Sequence, residues 1–284
     1  MFKGWDQEIL STAEEVFAKL IPLSKQSDKQ SSFWVFRGSN RKHDTLFSSF
    51  DRLIGSTSLA RKDYIHLERQ SIDLFKNLFN KGTNENFNGL LQQNIPTLMF
   101  MQHYGAKTRL LDWSLNPFIA AFFAVSDKSL DNSDGQICCF EYQRYMEQGN
   151  QQWHSYPEMF DSNGRFLDYL FPSFQEIYAG EWIVCQFLYK YKFPRILTQN
   201  GLFTFTSQFK VDHAQKIKQF LDDPNYHKVY IIKSTAKKEL RRRLIGDHGI
   251  SHKYIFPQTP ELIEIAINAV IADEFLIDSV KKRM

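Results

Sequence analysis

The chain has 284 residues, of which 43% are hydrophobic and 15% aromatic, and its formal net charge is +3. This length and composition support a large core, and we expect one mixed domain with a helical extension. The net charge is too small to indicate nucleic-acid binding by itself. The sequence contains no run of about 18 apolar residues, and its first twenty residues are charged and amphipathic. We therefore expect a cytoplasmic protein without a membrane partner.

The cysteines predict neither a disulfide framework nor a metal site. Cys138 and Cys139 are adjacent in the strand-like run QICCF, and Cys185 stands apart from them. Side chains alternate along a strand, so the adjacent pair should point to opposite faces and act as inert core residues. The histidines are scattered along the chain, and we expect no metal ligation and no covalently bound cofactor.

The first third of the chain reads as a helix, a strand and a second helix. A three-to-four-residue recurrence of apolar residues predicts a first helix, within an N-terminal helical extension over residues 1–30, from Ile9, Leu10, Ala13, Val16, Phe17 and Leu20. The run FWVFRG predicts a strand that Gly38 ends through its freedom at positive φ. Arg37 should then lie at a strand end. Residues 64–79 read as a helix.

The segment 102–124, QHYGAKTRLLDWSLNPFIAAFFA, combines a polar loop with an apolar run. Asn116 followed by Pro117 is a strong helix start, so PFIAAFFAV should be a buried helix. A helix N-terminus carries free N–H groups and a partial positive charge, which favours an anion in the loop that enters it. Arg109 and Arg37 would add charge-assisted donors to such a site.

The second half predicts further strands and a basic helix. The runs QICCFEY and KVYIIKS read as strands, and PRILTQ and LFTFTS read as two more strands joined by a hairpin at Asn200-Gly201. Residues 143–192 are expected to be an insertion of short helices and loops. The basic stretch 233–243 predicts a helix, for which a solvated face is favoured over a phosphate-binding stripe. A proline-started amphipathic helix is expected near the C-terminal end.

These motifs resemble the bacterial FRG domain family. The triplet Phe-Arg-Gly is followed by the pattern Q-x-x-G-x-x-T-R-L-L-D-W-x-x-x-P, which the sequence matches from Gln102 to Pro117. Two further segments, RILTQNGLFTF and GISHKYIFPQTPELIE, are similar to later family segments. The resemblance implies an FRG-type α+β domain over residues 31–270, with the insertion near 143–192, and a C-terminal tail over 271–284.

A weaker resemblance connects the order of these motifs with the ADP-ribosyltransferase fold. It implies an α+β fold with a mixed sheet of short strands and flanking helices. In such enzymes a late glutamate stabilises the developing oxocarbenium charge, but Gln199 occupies the comparable place here. A neutral amide cannot supply that charge. Either another carboxylate serves, Glu176, Glu181 and Asp112 being the candidates, or the pocket binds a nucleotide without cleaving it.

The resemblances and the loop chemistry together predict the site. The catalytic candidates are Arg37, Ser114 and Gln199, and the ligand-binding candidates are Gly38, Gln102, His103, Tyr104, Arg109, Asp112 and Trp113. Each also has a structural interpretation. Arg37 can pair with Asp112, Asp112 can cap a helix, and Trp113 can pack in the core. His103 beside Tyr104 suits proton transfer or stacking on a base, or a core position.

The leading hypothesis is a nucleotide-binding enzyme or pseudo-enzyme related to ADP-ribosyltransferases, with NAD as the candidate ligand or substrate. A nucleic-acid-binding protein is an alternative because of the basic stretch 233–243, although nucleic acid is not the favoured partner. A non-catalytic sensor or interaction domain in defence against phage is a third hypothesis, which depends on the family resemblance alone. The sequence does not indicate an oligomeric state.

Overall fold

A computed structural model describes residues 4–26, 34–55, 58–82, 94–153, 183–186, 194–206 and 208–256. The strands are β1 (Asp6–Leu10), β2 (Trp34–Ser39), β3 (Leu111–Ser114), β4 (Gly135–Glu141), β5 (Ile183–Gln186), β6 (Gly201–Thr206) and β7 (His227–Ile232). The helices are α1 (Ala13–Gln26), α2 (Ser49–Ile54), α3 (Arg61–Gly82), α4 (Asn94–His103), α5 (Pro117–Val125), α6 (Tyr142–Trp153), α7 (Pro194–Gln199), α8 (His213–Phe220), α9 (Ser234–Gly246) and α10 (His252–Ile255). Short 3-10 turns occupy Lys128–Leu130 and Pro224–Tyr226.

Within the described residues, the strands form one seven-stranded mixed sheet in the order β1-β7-β4-β2-β3-β6-β5. The edge strand β1 runs parallel to β7, and the other neighbouring strands pair antiparallel. Helices flank this sheet. The molecule therefore has the α+β architecture with a mixed sheet that the sequence predicts.

Two apolar cores cover the two faces of the sheet. On one face, α1, α5 and α9 pack against alternate residues of the central strands, including Phe36 and Cys139. On the other face, α6 and α8 pack against the intervening residues, including Val35 and Cys138. This alternation follows from the period of two in a strand and confirms that the adjacent cysteines point to opposite faces. Burial raises the pKa of the Cys138 thiol to about 12, in keeping with an inert core residue.

Several predicted elements are confirmed. The helix predicted at 64–79 is the central part of α3, and β4, β7 and α9 occupy the predicted segments. The predicted buried helix is α5, which begins at Pro117. The side chain of Asn116 caps it by accepting a hydrogen bond from the Phe118 amide at 2.9 Å.

The N-terminal prediction requires a correction. Ile9 and Leu10 belong to β1, not to a helix, and Ile9 is 65% exposed. The helix begins only at Ala13 because Thr12 and Glu15 form a capping box. The Glu15 amide donates to the Thr12 hydroxyl at 3.2 Å, and the Thr12 amide donates to the Glu15 carboxylate at 3.3 Å.

The predicted hairpin at Asn200-Gly201 is wrong. The run PRILTQ forms α7, and only the second run forms a strand, β6. Pro194 is pre-set for the first helical position, and Asn200 ends the helix in the left-handed region with φ of 44°. Pro194, which was read as part of a strand, therefore begins a short helix, and Asn200, which was read as part of a turn, ends it.

Gly38 is also needed for a different reason than predicted. Gly38 lies inside β2, and its φ angle is not positive. A Cβ atom at this position would lie 1.8 Å from the Ala120 carbonyl oxygen. The glycine therefore permits close approach of α5 to the sheet, and the chain does not turn sharply at it.

The remaining predictions fall mostly outside the described residues. Of the insertion predicted at 143–192, the structure describes most of α6 and the strand β5, and the predicted C-terminal helix lies beyond residue 256. The glutamates at 176 and 181 also lie outside the described ranges. Across the described part of the chain, none of the helices combines the length and apolar character that membrane crossing requires.

Candidate functional site

The candidate site lies where β2 and β3 separate. These two strands pair at one position, Phe36 with Ser114, whereas β2 pairs with β4 over six residues. Beyond that position the Nη1 of Arg37 donates to the carbonyl oxygen of Asp112 at 2.8 Å. The guanidinium of Arg37 thus supplies the hydrogen bond that a backbone N–H of β2 would give to the Asp112 carbonyl if the two strands stayed paired.

A cavity of about 160 Å³ opens at this separation. It is lined by Phe36, Arg37, Gly38, Gln102, His103, Asp112, Trp113, Ser114, Ala120, Phe123, Arg195 and Gln199. An engineered cavity of about 150 Å³ is known to hold benzene, so this space suits one ring-sized group. Eight of the ten predicted site residues line it, and Tyr104 and Arg109 do not.

Asp112 is held by a chain of hydrogen bonds at the cavity wall. The Gln102 side-chain amide donates to Asp112 Oδ2 at 2.9 Å, and the Thr108 hydroxyl donates to Gln102 Oε1 at 2.7 Å. The Nη1 of Arg37 lies 3.7 Å from the same Oδ2, with side-chain exposures of 22% for Arg37 and 43% for Asp112. This ion pair is solvent-accessible and loose, so its contribution to folding should be small.

Ser114 and Gln199 are tied to neighbouring backbone groups. The Ser114 hydroxyl donates to the Gln199 carbonyl at 2.6 Å and accepts from the Asn116 amide at 3.0 Å. The Gln199 side-chain amide donates to the Ile255 carbonyl at 3.2 Å. Gln199 is the last residue of α7, not a strand residue as predicted. Both side chains therefore hold the cavity wall together.

The indole ring of Trp113 points away from the cavity, although Trp113 is one of the residues that line the cavity. The indole nitrogen donates to the Thr204 hydroxyl at 2.9 Å, and the ring meets Phe140 edge to face, with centroids 4.9 Å apart. The ring belongs to the core on the α6 and α8 face of the sheet. Of the two interpretations of Trp113, ligand binding and core packing, the structure therefore supports core packing, because the position of the residue in β3 directs the indole into that core.

Arg109 is a core residue, which corrects its predicted role in ligand binding. Its guanidinium is 1% exposed and donates to both carboxylate oxygens of Glu68, at 2.6 and 2.7 Å. Nη1 also donates to the Thr206 carbonyl at 3.0 Å, and the group lies 4.5 Å from the ring centroid of Phe209. The buried pair joins α3 to β6 and leaves no donor edge for an outside ligand.

Tyr104 is likewise buried outside the cavity lining. Its ring centroid lies 5.0 Å from that of Phe100 and 6.0 Å from the guanidinium carbon of Arg195. The predicted stacking of Tyr104 on a ligand is not supported by this position. Tyr104 instead forms part of the packing around Arg195.

The N-terminus of α5 does not provide the predicted anion site. The Phe118 amide is bound by the Asn116 side chain, and the amides of Ile119 and Ala120 donate to the Asn116 carbonyl at 3.2 and 3.3 Å. Pro117 has no N–H group. The first-turn donors that would bind a phosphate are therefore already used by Asn116.

Two polar atoms in the cavity wall are buried without a partner among the described residues, His103 Nε2 and Arg195 Nε. Burial, followed by the positive charge of Arg195, lowers the pKa of His103 to about 3, so this imidazole is neutral near pH 7. Burial also lowers the pKa of Arg195, while Asp112 and Tyr104 act in the opposite direction. Buried polar atoms are normally satisfied, so these two atoms indicate a place for a ligand atom.

Arg195 is the site residue that the sequence prediction missed. It stands in the segment RILTQNGLFTF, which resembles a family segment and supplied Gln199 as a site candidate, but Arg195 itself was not assigned to the site. The helix α7 instead carries Arg195 to the cavity. Phe36, Ala120 and Phe123 also line the cavity and supply its apolar surface.

The basic helix α9 makes acidic and backbone contacts. Arg241 binds Asp131 through both terminal nitrogens, Arg242 pairs with Glu239, and Arg243 pairs with Glu14. The buried ammonium of Lys237 donates to the carbonyl oxygens of Asn40 and Leu130. Much of this charge therefore contacts other parts of the fold, whereas the sequence favoured a solvated helix face.

The described residues contain no group of three or more His, Cys, Asp or Glu side chains arranged to hold a metal ion. The ionisable side chains that line the cavity are two guanidinium groups, one carboxylate and one neutral imidazole, beside an apolar floor.

The fold and the cavity define an α+β domain with a small polar pocket between two diverging strands. Residues 32–133 match the FRG domain family, so an FRG domain is present in the chain. The matched range contains β2, α4, β3 and α5, which form most of the cavity wall, whereas Arg195 and Gln199 lie beyond it. No curated protein and no solved structure matches the chain, so the likeness to ADP-ribosyltransferases has no support from these comparisons.

Proposed function

We propose that the FRG domain binds a nucleotide-type ligand in the cavity between β2 and β3, with NAD as the first candidate. The observation that carries the proposal is the pair of buried, unpartnered polar atoms, His103 Nε2 and Arg195 Nε, in the wall of a ring-sized cavity. Leaving a buried donor unsatisfied costs about 1–3 kcal/mol, which a ligand acceptor would recover.

The cavity supports entry of one end of such a ligand. Its volume of about 160 Å³ is well below the 300–1,000 Å³ or so that encloses a drug-sized molecule. One ring or one acidic group would enter, and the rest would lie outside near the half-exposed Asp112 and Arg37. Arg37 keeps its predicted role in binding phosphate, because its guanidinium is partly exposed at the cavity.

Thermal unfolding of the wild type and of Arg37→Ala, each with and without NAD, ADP-ribose and ATP, tests the proposal. We expect the Arg37→Ala protein alone to melt at most a few degrees below the wild type, since it loses one hydrogen bond to the Asp112 carbonyl and an ion pair that is loose and partly exposed. We expect at least one nucleotide to raise the wild-type melting temperature and to lose most of that effect in Arg37→Ala.

The matched control is Arg242→Ala, which removes an exposed arginine that pairs with Glu239 on α9. It should keep the full nucleotide effect. A wild-type melting temperature that none of the three nucleotides changes, together with no heat of binding in calorimetry, would contradict the proposal.

Catalysis is a separate question, and Asp112 is the residue that decides it. It is the carboxylate that lines the cavity among the described residues, whereas the amide of Gln199 is neutral and bound to the Ile255 carbonyl. An enzyme that cleaves NAD would need such a negative charge beside the developing cation. If the wild type releases nicotinamide from NAD and Asp112→Asn does not, the protein is an enzyme. Nucleotide binding without turnover would instead favour a sensor, and defence against phage is the hypothesis for that role.

A further inference from the structure

Arg195 is a partly buried cation that forms no ion pair with the residues that the structure describes. Its Nε is buried and unpartnered, and the guanidinium makes no ion pair or hydrogen bond with any residue that the structure describes. The contrast with Arg109 is direct, because Arg109 is bound by both oxygens of Glu68 and by a backbone carbonyl. A buried charge is costly unless it is paired and hydrogen-bonded. Arg195 therefore lacks the partner that this interior provides for another arginine.

The aromatic neighbours of Arg195 do not supply that partner. The guanidinium carbon lies 4.4 Å from the ring centroid of Phe256 and 6.0 Å from that of Tyr104. Rings at these distances interact with the flat face of a guanidinium. The N–H donors point outward in its plane, so the rings orient the group and leave its edge for a hydrogen-bonding partner.

The other charged groups of the cavity compensate one another. Arg37 and Asp112 form an ion pair with a separation of 3.7 Å between Nη1 and Oδ2. His103 is neutral near pH 7, so it adds no second positive charge. Asp112 also acts on Arg195, but it is one carboxylate beside two guanidinium groups. The described cavity lining therefore carries a net charge of +1, next to a neutral imidazole whose Nε2 has no partner among the described residues.

We propose that the group which enters the cavity is a ring-sized organic anion, and that Arg195 binds its acidic end. The apolar floor of Phe36, Ala120 and Phe123 would contact the rest of that group. A carboxylate and a phosphate ester share this chemistry, since both accept charge-assisted hydrogen bonds from a guanidinium edge. This proposal rests on the proposed function, because the anion would be the part of the ligand that enters the same cavity.

Isosteric probes test the charge requirement. Benzoate and benzamide have nearly the same size and shape but differ by one negative charge, and each can be titrated into the full-length protein by calorimetry or ligand-observed NMR. We expect benzoate to bind the wild type at least tenfold more tightly than benzamide. We expect Arg195→Met to abolish that preference and Arg195→Lys to retain part of it, because lysine keeps the charge but loses the planar donor edge.

Two controls separate a lost binding site from a damaged fold. Arg242→Met makes the same replacement at an exposed arginine on α9 and should keep the benzoate preference. The melting temperature of Arg195→Met should equal or exceed that of the wild type, because the replacement removes a partly buried charge and breaks no ion pair of the described residues. Equal affinity for benzoate and benzamide in the wild type, or an unchanged preference in folded Arg195→Met, would overturn the proposal.

The remaining outcomes assign the acidic group and separate the two proposals. Benzoate binding more tightly than phenyl phosphate assigns the site to a carboxylate, and the reverse order assigns it to a phosphate ester. Nucleotide binding without a benzoate preference would leave the proposed function in place and reject the anion site. An Arg195-dependent benzoate preference without any nucleotide binding would reject the proposed function and leave the anion site.

Discussion

At the scale of single residues, the chain uses arginine in three different environments. Arg109 is buried and bound by Glu68, Arg37 is partly exposed beside Asp112, and Arg195 lines the cavity without a counterion among the described residues. The side chain is the same in each case. Its partner and its exposure decide whether it stabilises the fold or is available to a ligand.

The Arg109–Glu68 pair gives a prediction about stability. Arg109→Ala should lower the free energy of unfolding by about 3–5 kcal/mol, because it leaves the Glu68 carboxylate buried without its cation. Urea denaturation measures this change. Arg37→Ala, by contrast, should lower the free energy of unfolding by only about 1 kcal/mol, since it removes one hydrogen bond and a loose, partly exposed ion pair.

Replacing both members of the buried pair provides the internal check. The double variant Arg109→Met with Glu68→Leu should recover much of the lost stability, since it leaves no unpaired charge in the core. A loss of less than about 1 kcal/mol for Arg109→Ala alone would contradict the structural role assigned to this arginine.

At the scale of elements, the contact between β2 and α5 positions the cavity. Gly38 in β2 lies against the backbone of α5 near Ala120, and both residues line the cavity. The Asn116 cap fixes the N-terminus of α5, and the buried residues of this helix hold it against the core. The width of the cavity therefore depends on how closely the helix approaches the strand.

Gly38→Ala tests this dependence. Its Cβ would lie 1.8 Å from the Ala120 carbonyl oxygen and 2.9 Å from the Ala124 nitrogen, so α5 would have to move. We expect a loss of stability of roughly 3 kcal/mol or more, at or beyond the upper end of ordinary overpacking. Thermal and urea unfolding measure it, and any nucleotide effect on the melting temperature should also disappear.

The control for this change is Gly246→Ala at the end of α9, where a Cβ atom would meet nothing within 4 Å. That variant should be neutral or slightly stabilising, because alanine has the higher helix propensity. Equal melting temperatures for Gly38→Ala and the wild type would show that α5 does not need this close approach.

At the scale of the whole molecule, two buried histidines make stability depend on pH. Burial is the largest cause that lowers the pKa values of His103 and His213, each to about 3. An exposed histidine in the unfolded chain titrates near 6.5. The unfolded chain therefore binds more protons than the folded protein between about pH 3 and 6.5, and stability falls as the pH is lowered through this range.

Each histidine should destabilise the folded protein by on the order of 2 kcal/mol at pH 5 relative to pH 8. Urea unfolding of the wild type, His103→Gln and His213→Gln at the two pH values measures this difference. Each replacement should reduce the pH dependence by about half of the combined effect. A wild type whose stability is the same at pH 5 and pH 8 would contradict the assignment of both histidines as neutral in the core.

The local sequence determined much of the architecture, because its signals act within a few residues. The Asn116-Pro117 start of α5, the buried runs of β4 and β7 and the opposite faces of Cys138 and Cys139 all follow from capping and side-chain period. The motif from Gln102 to Pro117 also indicated the FRG domain, and five of its residues line the cavity: Gln102, His103, Asp112, Trp113 and Ser114.

Other local signals were present but were outweighed by a competing pattern. The Thr12-x-x-Glu15 capping box marks the start of α1, although the apolar spacing from Ile9 suggested an earlier start. Pro194 and Asn200 similarly begin and end α7 where alternating apolar residues suggested a strand. In both places the residues that begin or end the helix were better indicators than hydrophobic periodicity.

Only the tertiary structure decided the partners and directions of the polar side chains. Glu68 lies 41 positions before Arg109, and Asp112 lies 75 positions after Arg37, so neither contact leaves a periodic signal in the sequence. Trp113 turns into the core because of its place in β3, and Arg195 reaches the cavity because α7 carries it there. The burial and the charge compensation of a side chain depend on every element packed around it. For this reason the sequence by itself indicated the domain, whereas the tertiary structure determined which of its arginines is available to a ligand.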